Sequence, residues 1–163
     1  MKQKRVFLMC GVPGSGKSTW VRQRIAAYGG YHVSRDEIRF AILNERGGNY
    51  FDYENEVIRT FAARINELLD SDEQCIDIYV DATHLTDNSR NQIMRQLHLE
   101  GAYKIAVWMK VPLEICKVRN DTRTGRANVP HKTITDMYNR ARRPSPKDYD
   151  EIWEINSEGE RIN

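Results

Sequence analysis

The sequence predicts an α/β domain with about five parallel strands and helices on both faces, and three observations predict it. Apolar runs of strand length alternate with helical apolar spacing along nearly the whole chain, the pattern of strands joined by crossover helices. The first apolar run, Val6-Phe7-Leu8-Met9-Cys10, leads directly into Gly11-Val12-Pro13-Gly14-Ser15-Gly16-Lys17-Ser18, a complete G-x-x-x-x-G-K-[ST] sequence. Finally, 163 residues suffice for one full core and not for two of ordinary size, so one domain over residues 1–163 is expected.

The elements follow in order. A strand over Arg5–Cys10 is followed by a helix over Lys17–Tyr28, with Trp20, Val21, Ile25 and Ala26 apolar and Gly29-Gly30 as its stop. A short strand, Tyr31-His32-Val33, leads through Ser34-Arg35 to a helix from Asp36 to about Leu43, broken at Gly47-Gly48. Asp52 is expected to cap a longer helix carrying Val57, Ile58, Phe61, Ile65, Leu68 and Leu69. Cys75 to Val80 reads as a third strand terminating in Asp81, and Thr86 as the cap of a helix reaching about Leu99, ended by Gly101. Tyr103 to Met109 is a fourth strand, and Pro112 suits the first turn of the next helix. The arginine-crowded stretch from Arg119 cannot bury a face and reads as a mobile lid over about 119–130. A helix over His131–Arg142, a rigid loop at Arg143-Pro144-Ser145-Pro146 and a strand over Glu151–Ile155 complete the chain.

Composition narrows the classes. A formal net charge of +2 permits a nucleic-acid partner without arguing for one. Cys10, Cys75 and Cys116 are odd in number and far apart, which supports neither a disulfide framework nor a zinc site and suggests buried free thiols in a reducing cytoplasm. The basic Met1-Lys2-Gln3-Lys4-Arg5 precedes an apolar run too short for a signal peptide, and nothing approaches a membrane span. A cytoplasmic protein with no membrane partner is therefore expected; the residues leave its oligomeric state open.

The glycine-rich loop points to a nucleoside triphosphate. Gly11, Gly14 and Gly16 are expected at positive φ, so that the loop's backbone N–H groups surround the phosphates, with Val12, Pro13, Ser15 and Thr19 also counted among the nucleotide-binding residues 11–19. Lys17 supplies a charge near the β and γ phosphates, Ser18 a hydroxyl for Mg²⁺, and the following helix its positive dipole end. ATP and Mg²⁺ are the expected cofactors.

In an open α/β sheet, ligands sit beyond the carboxyl ends of strands, and three groups fall there. Asp36 and Arg39, three apart, can share a helix face, the carboxylate accepting a hydroxyl proton and the guanidinium clamping an anion; alternatively, Asp36 caps the helix and pairs with Arg39 on the surface. Asp81, followed by Ala82, Thr83 and His84, suits a water of Mg²⁺ or the acceptor, or else caps the loop. His84 reads as a satisfied loop residue rather than an acid or base. Arg119 and Arg123, four apart, share a face if helical and meet the triphosphate together, with Arg126 beyond Gly125; the alternative is a solvated charge run.

These residues together resemble the kinase domain of the polynucleotide 5′-kinase family, the phage type in particular. The resemblance rests on Gly14 to Trp20, reading Gly-Ser-Gly-Lys-Ser-Thr-Trp, on Arg35-Asp36 with Arg39, on Asp81, and on Arg119-Asn120 and Arg123 leading to Val129-Pro130 and Asp136-Met137-Tyr138. It covers about Phe7 to Tyr138. It implies a P-loop kinase fold with adenylate-kinase-like strand order and an arginine-rich lid, and transfer of the γ-phosphate of ATP to the 5′-hydroxyl end of DNA or RNA. By the same resemblance Lys17 and Ser18 hold the phosphates and Mg²⁺, Asp81 reaches the metal through water, and Asp36 is the general base. Arg39 grips the acceptor's 3′-phosphate, with Arg35, Asp81 and Thr83 also on the acceptor side; Arg119 and Arg126 contact the nucleotide, and Arg123 stabilises the transition state. Ala82-Thr83 departs from the phage-type Thr-Asn, and the lid is one residue longer, which leaves Arg123 and Arg126 competing for the transition-state role. An Asp-x-Asp-x-Thr phosphatase motif is absent, so 3′-end repair would fall to another protein. Kinases of small molecules, nucleotide sugars or tRNA-linked acceptors share such motifs, as does a nucleotide-dependent switch, though a switch has no need of the Asp36–Arg39 group.

Overall fold

The two faces of one strand explain the architecture. In β1 (Arg5–Cys10), Val6, Leu8 and Cys10 pack into one core cluster, and Phe7 and Met9 into another. A strand buried on both faces needs helices on both sides, which crossover connections supply. In the computed structural model, which describes residues 3–163, the sheet is parallel throughout with strand order β2-β3-β1-β4-β5. The strands are β2 (Tyr31–Ser34), β3 (Asp77–Asp81), β4 (Tyr103–Met109) and β5 (Glu151–Ile155). Helices α2 (Arg35–Arg46), α3 (Glu54–Asp70) and α4 (Asp87–Gln96) cover the first face through Ile38, Phe61, Ile65 and Ile93. Helices α1 (Lys17–Tyr28), α5 (Leu113–Asp121) and α6 (His131–Arg140) cover the other through Trp20, Val21, Cys116 and Ile134. The expected five-stranded α/β fold and its order are thus present. Met1 and Lys2 of the basic segment lie outside the described residues. Among the described residues no helix is long and apolar enough to cross a membrane.

Several local expectations need correction. Strand β3 runs from Asp77 to Asp81 rather than from Cys75, and Cys75 is exposed while Cys10 and Cys116 are buried. Helix α2 starts at Arg35 because the Ser34 hydroxyl accepts from the Glu37 N–H at 3.3 Å; Asp36 is therefore not its cap. Asp52 does not cap α3, which has Tyr53 at that position; its carboxylate accepts from the Asn49 N–H at 2.8 Å and folds the preceding loop. Thr86 does cap α4, in a reciprocal box with Ser89, although the helix stops at Gln96. Helix α6 likewise stops at Arg140.

The lid is less uniform than expected. Arg119 and Asn120 belong to α5, and residues Gly125–Ala127 form a 3₁₀ turn. Asn120 is fully buried: its Nδ2 donates to the Val129 carbonyl at 2.7 Å and its Oδ1 accepts from the Val129 N–H at 2.9 Å. One side chain thus fastens the lid's exit to its entry. Asn120→Ala leaves both Val129 groups without their partner, so a stability loss of about 1–3 kcal/mol is expected, read as a lower denaturant midpoint. An unchanged midpoint would show that the clamp contributes nothing.

Candidate active site

The glycine-rich loop joins β1 to α1, which begins at Lys17 with left-handed Gly16 as its cap, so the helix's positive end faces the loop. Gly14 also has positive φ, and a Cβ there would collide with the Cys116 carbonyl. Gly11, against expectation, is not at positive φ. It is required by space, since an added Cβ would lie 2.6 Å from Ser15 Oγ and 2.9 Å from Met109 Cβ. The Gly11 N–H donates to the Thr83 carbonyl at 2.9 Å, tying the loop to the segment after β3.

Lys17 turns inward. Its Nζ donates to the Gly11 and Val12 carbonyls at 2.8 and 3.1 Å, and burial lowers its pKa, an effect that the Asp81 charge opposes. The Ser18 hydroxyl donates to Asp81 Oδ2 at 2.7 Å, and His32 Nε2 lies 2.8 Å from the same oxygen. Burial works to raise the Asp81 pKa, but the His32 hydrogen bond, the Lys17 charge and the Ser18 hydrogen bond outweigh it and hold the carboxylate below its usual range. A hydroxyl and an ionised carboxylate in contact are hard oxygen donors of the kind Mg²⁺ takes from a protein when its remaining ligands are water and phosphate, so these residues fit the expected ion. His32 was not legible as part of the site: it reaches Asp81 only because β2 pairs with β3, Ser34 opposite Asp81.

A cleft of about 440 Å³ reaches from Lys17, Ser18 and Asp81 to Arg35, Asp36, Arg39 and Thr83, the residues expected on the acceptor side. Asp36 is more than half exposed, whereas Arg39 is only 3% exposed. Arg39 Nη1 donates to Asp36 Oδ1 at 2.5 Å and to the Tyr50 hydroxyl at 2.8 Å, and Tyr50 donates in turn to Asp36 Oδ1 at 2.9 Å. Arg39 Nε and Nη2 bind Glu54, at 3.2 Å to Oε2 and 2.7 Å to Oε1. The Arg39 guanidinium also sits 4.4 Å from the Tyr50 ring centroid. Burial, with the Asp36 charge next, pushes the Tyr50 hydroxyl up to about 12, which keeps it protonated as a donor. Sequence reasoning found Asp36 and Arg39 but missed Tyr50 and Glu54.

The three lid arginines separate. Helix α5 ends at Asp121, so the spacing of Arg119 and Arg123 does not place both on one helical face. Arg119 donates to the Ser157 carbonyl at 2.5 Å and the Ser15 carbonyl at 3.4 Å, beside a second cavity of about 270 Å³ that includes Gly16, Thr19, Trp20 and the 156–159 loop. That loop had no sequence signal. Arg123 and Arg126 line the 440 Å³ cleft instead, and Arg126 Nη2 donates to the Gly48 carbonyl at 3.1 Å, bridging the lid to the loop after α2. His84 is buried at φ 42 with Nδ1 2.8 Å from the Met9 carbonyl; burial, then the Arg35 charge, lowers its pKa to about 3. It is a neutral loop residue beneath the cleft at physiological pH.

Solved structures with the same fold include a sugar kinase from Janibacter sp. HTCC2649, 19% identical with a TM-score of 0.65 over 95% of this chain and 86% of that one. A putative kinase from Chloroflexus aurantiacus is 15% identical, with a TM-score of 0.74 over 96% of this chain and 87% of that one. A chain in the Pnkp1/Rnl/Hen1 RNA repair complex is 24% identical, with a TM-score of 0.67 over 85% of this chain and 43% of that one. These similarities establish a P-loop kinase-like fold. Residues 6–144 match the AAA domain family, and with its glycine-rich loop, parallel sheet and adjoining cleft, the chain belongs to that family.

Proposed function

We propose that this protein is a kinase that uses ATP and Mg²⁺ to phosphorylate the 5′-hydroxyl end of DNA or RNA. One observation carries the choice of acceptor: beside the exposed Asp36 carboxylate, the cleft is walled by Phe40, Tyr50 and Phe51 and by Val129, Pro130 and Met137. Flat apolar walls suit a nucleobase, which stacks on aromatic rings, whereas a sugar or sugar acid needs polar partners for its many hydroxyls.

In this reading the loop's backbone N–H groups and Lys17 hold the β and γ phosphates. Ser18, with Asp81 through a water, would hold Mg²⁺, which supplies charge neutralisation on the phosphates. Asp36 accepts the proton of the acceptor hydroxyl as its oxygen bonds to the γ-phosphorus and the bond to the departing ADP oxygen breaks. Arg39 and Tyr50 orient the Asp36 carboxylate, and Arg123 meets the charge of the transferring group. Arg119 and its cavity face the nucleotide's base side.

The test is a panel of acceptors with labelled ATP. Transfer is expected to a short 5′-hydroxyl oligonucleotide and to a nucleoside 3′-phosphate, with little gain from lengthening the strand. Transfer to a sugar or gluconate, and not to any 5′-hydroxyl end, would replace this reading with a small-molecule kinase. Slow ATP turnover indifferent to every acceptor would replace it with a switch.

A further inference from the structure

Asp81 is 4% exposed, and the two side chains that hold it both use one oxygen. The Ser18 hydroxyl donates to Oδ2 at 2.7 Å, and His32 Nε2 lies 2.8 Å from that same atom. An ionised carboxylate only accepts, so Nε2 carries the hydrogen of that contact. Among the described residues no donor bonds to Oδ1, and Asp81 lines the cleft beside Lys17 and Ser18. The carboxylate is therefore divided: one oxygen is committed to its own chain, and the other is open to the cleft.

Strand register explains why His32 is there. In β2, His32 pairs with Tyr79 and Ser34 with Asp81, so His32 and Asp81 share a sheet face as diagonal neighbours. Such neighbours stand about 7–8 Å apart, a span within reach of long side chains. The same face packs against α1, whose second residue is Ser18. Other polar groups on that side are committed elsewhere: Lys17 Nζ donates to the Gly11 and Val12 carbonyls, and the Tyr79 hydroxyl engages Arg24 and Asp77. Among the described residues, only His32 joins Ser18 on that oxygen.

The consequence lies at Ser18. A hydroxyl has one hydrogen and two lone pairs. With its hydrogen directed to Asp81, Ser18 presents only lone pairs elsewhere, the orientation that a cation requires of an oxygen ligand. Were Oδ2 to swing away, that hydrogen would be free to turn toward the cation. We propose that His32 is a positioning residue for the Mg²⁺ site: it pins Asp81 Oδ2 against the Ser18 hydroxyl, leaving the Ser18 lone pairs for the ion and Asp81 Oδ1 for an ion-bound water. This rests on the kinase reading above, and the two can fail separately.

The test compares wild type, His32→Gln and His32→Leu. Glutamine returns an N–H near the place of Nε2, and leucine does not. Calorimetry measures ADP binding without metal, and electron paramagnetic resonance measures binding of Mn²⁺, standing in for Mg²⁺, to the ADP-loaded protein. His32→Leu is expected to weaken Mn²⁺ binding by about 10- to 100-fold, the usual effect of losing an outer partner of a metal-holding group, with metal-free ADP affinity unchanged. His32→Gln should recover most of that loss. In turnover, the Mg²⁺ concentration giving half the maximal rate should rise in His32→Leu by a similar factor, while saturating Mg²⁺ largely restores kcat. Equal losses of ADP and Mn²⁺ binding in His32→Leu, or glutamine performing no better than leucine, overturns the assignment. Should His32→Leu not fold, His32→Phe, which keeps a ring without nitrogen, is read in its place. Normal transfer with Mn²⁺ binding unchanged in His32→Leu would keep the kinase and sink this role. Metal binding lost in His32→Leu and rescued in His32→Gln, with no transfer to any 5′-hydroxyl end, would sink the choice of acceptor and leave the role of His32 standing.

Discussion

Asp36→Asn is expected to lower turnover by about 10²- to 10⁴-fold, the loss that follows removal of a general base, with little change in KM for ATP. The geometry makes this substitution unusually selective. Arg39 Nη1 and the Tyr50 hydroxyl both donate to Oδ1, so in the variant the amide oxygen takes that position and the amide NH₂ falls where Oδ2 would receive the proton. The replacement is nearly isosteric but presents a donor to the acceptor hydroxyl. Helix α2 keeps its start, because the cap is Ser34. The Asp36 side chain is more than half exposed, so the loss of its charge should change thermal stability little. A fall in thermal stability and ATP affinity matching the fall in turnover would mark Asp36 as structural and require another base.

What the sequence disclosed depended on how local each interaction is. The run from Val6 to Ser18 reads directly as strand, turn and helix start because every part of it is contiguous, and the unbroken apolar run of β1, buried on both faces, gives the sheet covered on two sides. Asp36 and Arg39 were visible as a pair because three residues on a helix share a face. Their setting was not: Glu54 starts a different helix, and Tyr50 comes from the loop between α2 and α3, so only tertiary packing brings them to Arg39. The consequence was substantial, since an arginine that looked free to bind an anion proves to be committed. Gly11 shows the same limit in miniature: the motif demands glycine there, but the reason, the approach of Ser15 and Met109, exists only in the folded chain. The lid failed for a different reason. Its arginine spacing implied one helical face, while α5 stops at Asp121 and sends Arg119 and Arg123 to separate cavities.

Lys17→Met should reduce phosphoryl transfer by roughly 10²-fold or more, the scale expected when one transition-state charge contact is removed, and do so without destabilising the free protein. The two effects have one cause. Lys17 is half-buried, and desolvation lowers its pKa, so its charged form is less favourable there than in water. Its ammonium donates to the Gly11 and Val12 carbonyls, and the charges of Asp81 and, after it, Asp36 act on it from farther away. Methionine retains an unbranched stem of similar length and removes a desolvated charge, so the free variant should match or exceed wild type in thermal midpoint. Adding ATP with Mg²⁺ should then raise the wild-type midpoint more than the variant's, because a ligand stabilises the fold in proportion to its affinity for the native state. A folded Lys17→Met protein with near wild-type turnover would place the reaction elsewhere. A variant that loses activity only because its midpoint collapses would show that Lys17 holds the loop together rather than the phosphates.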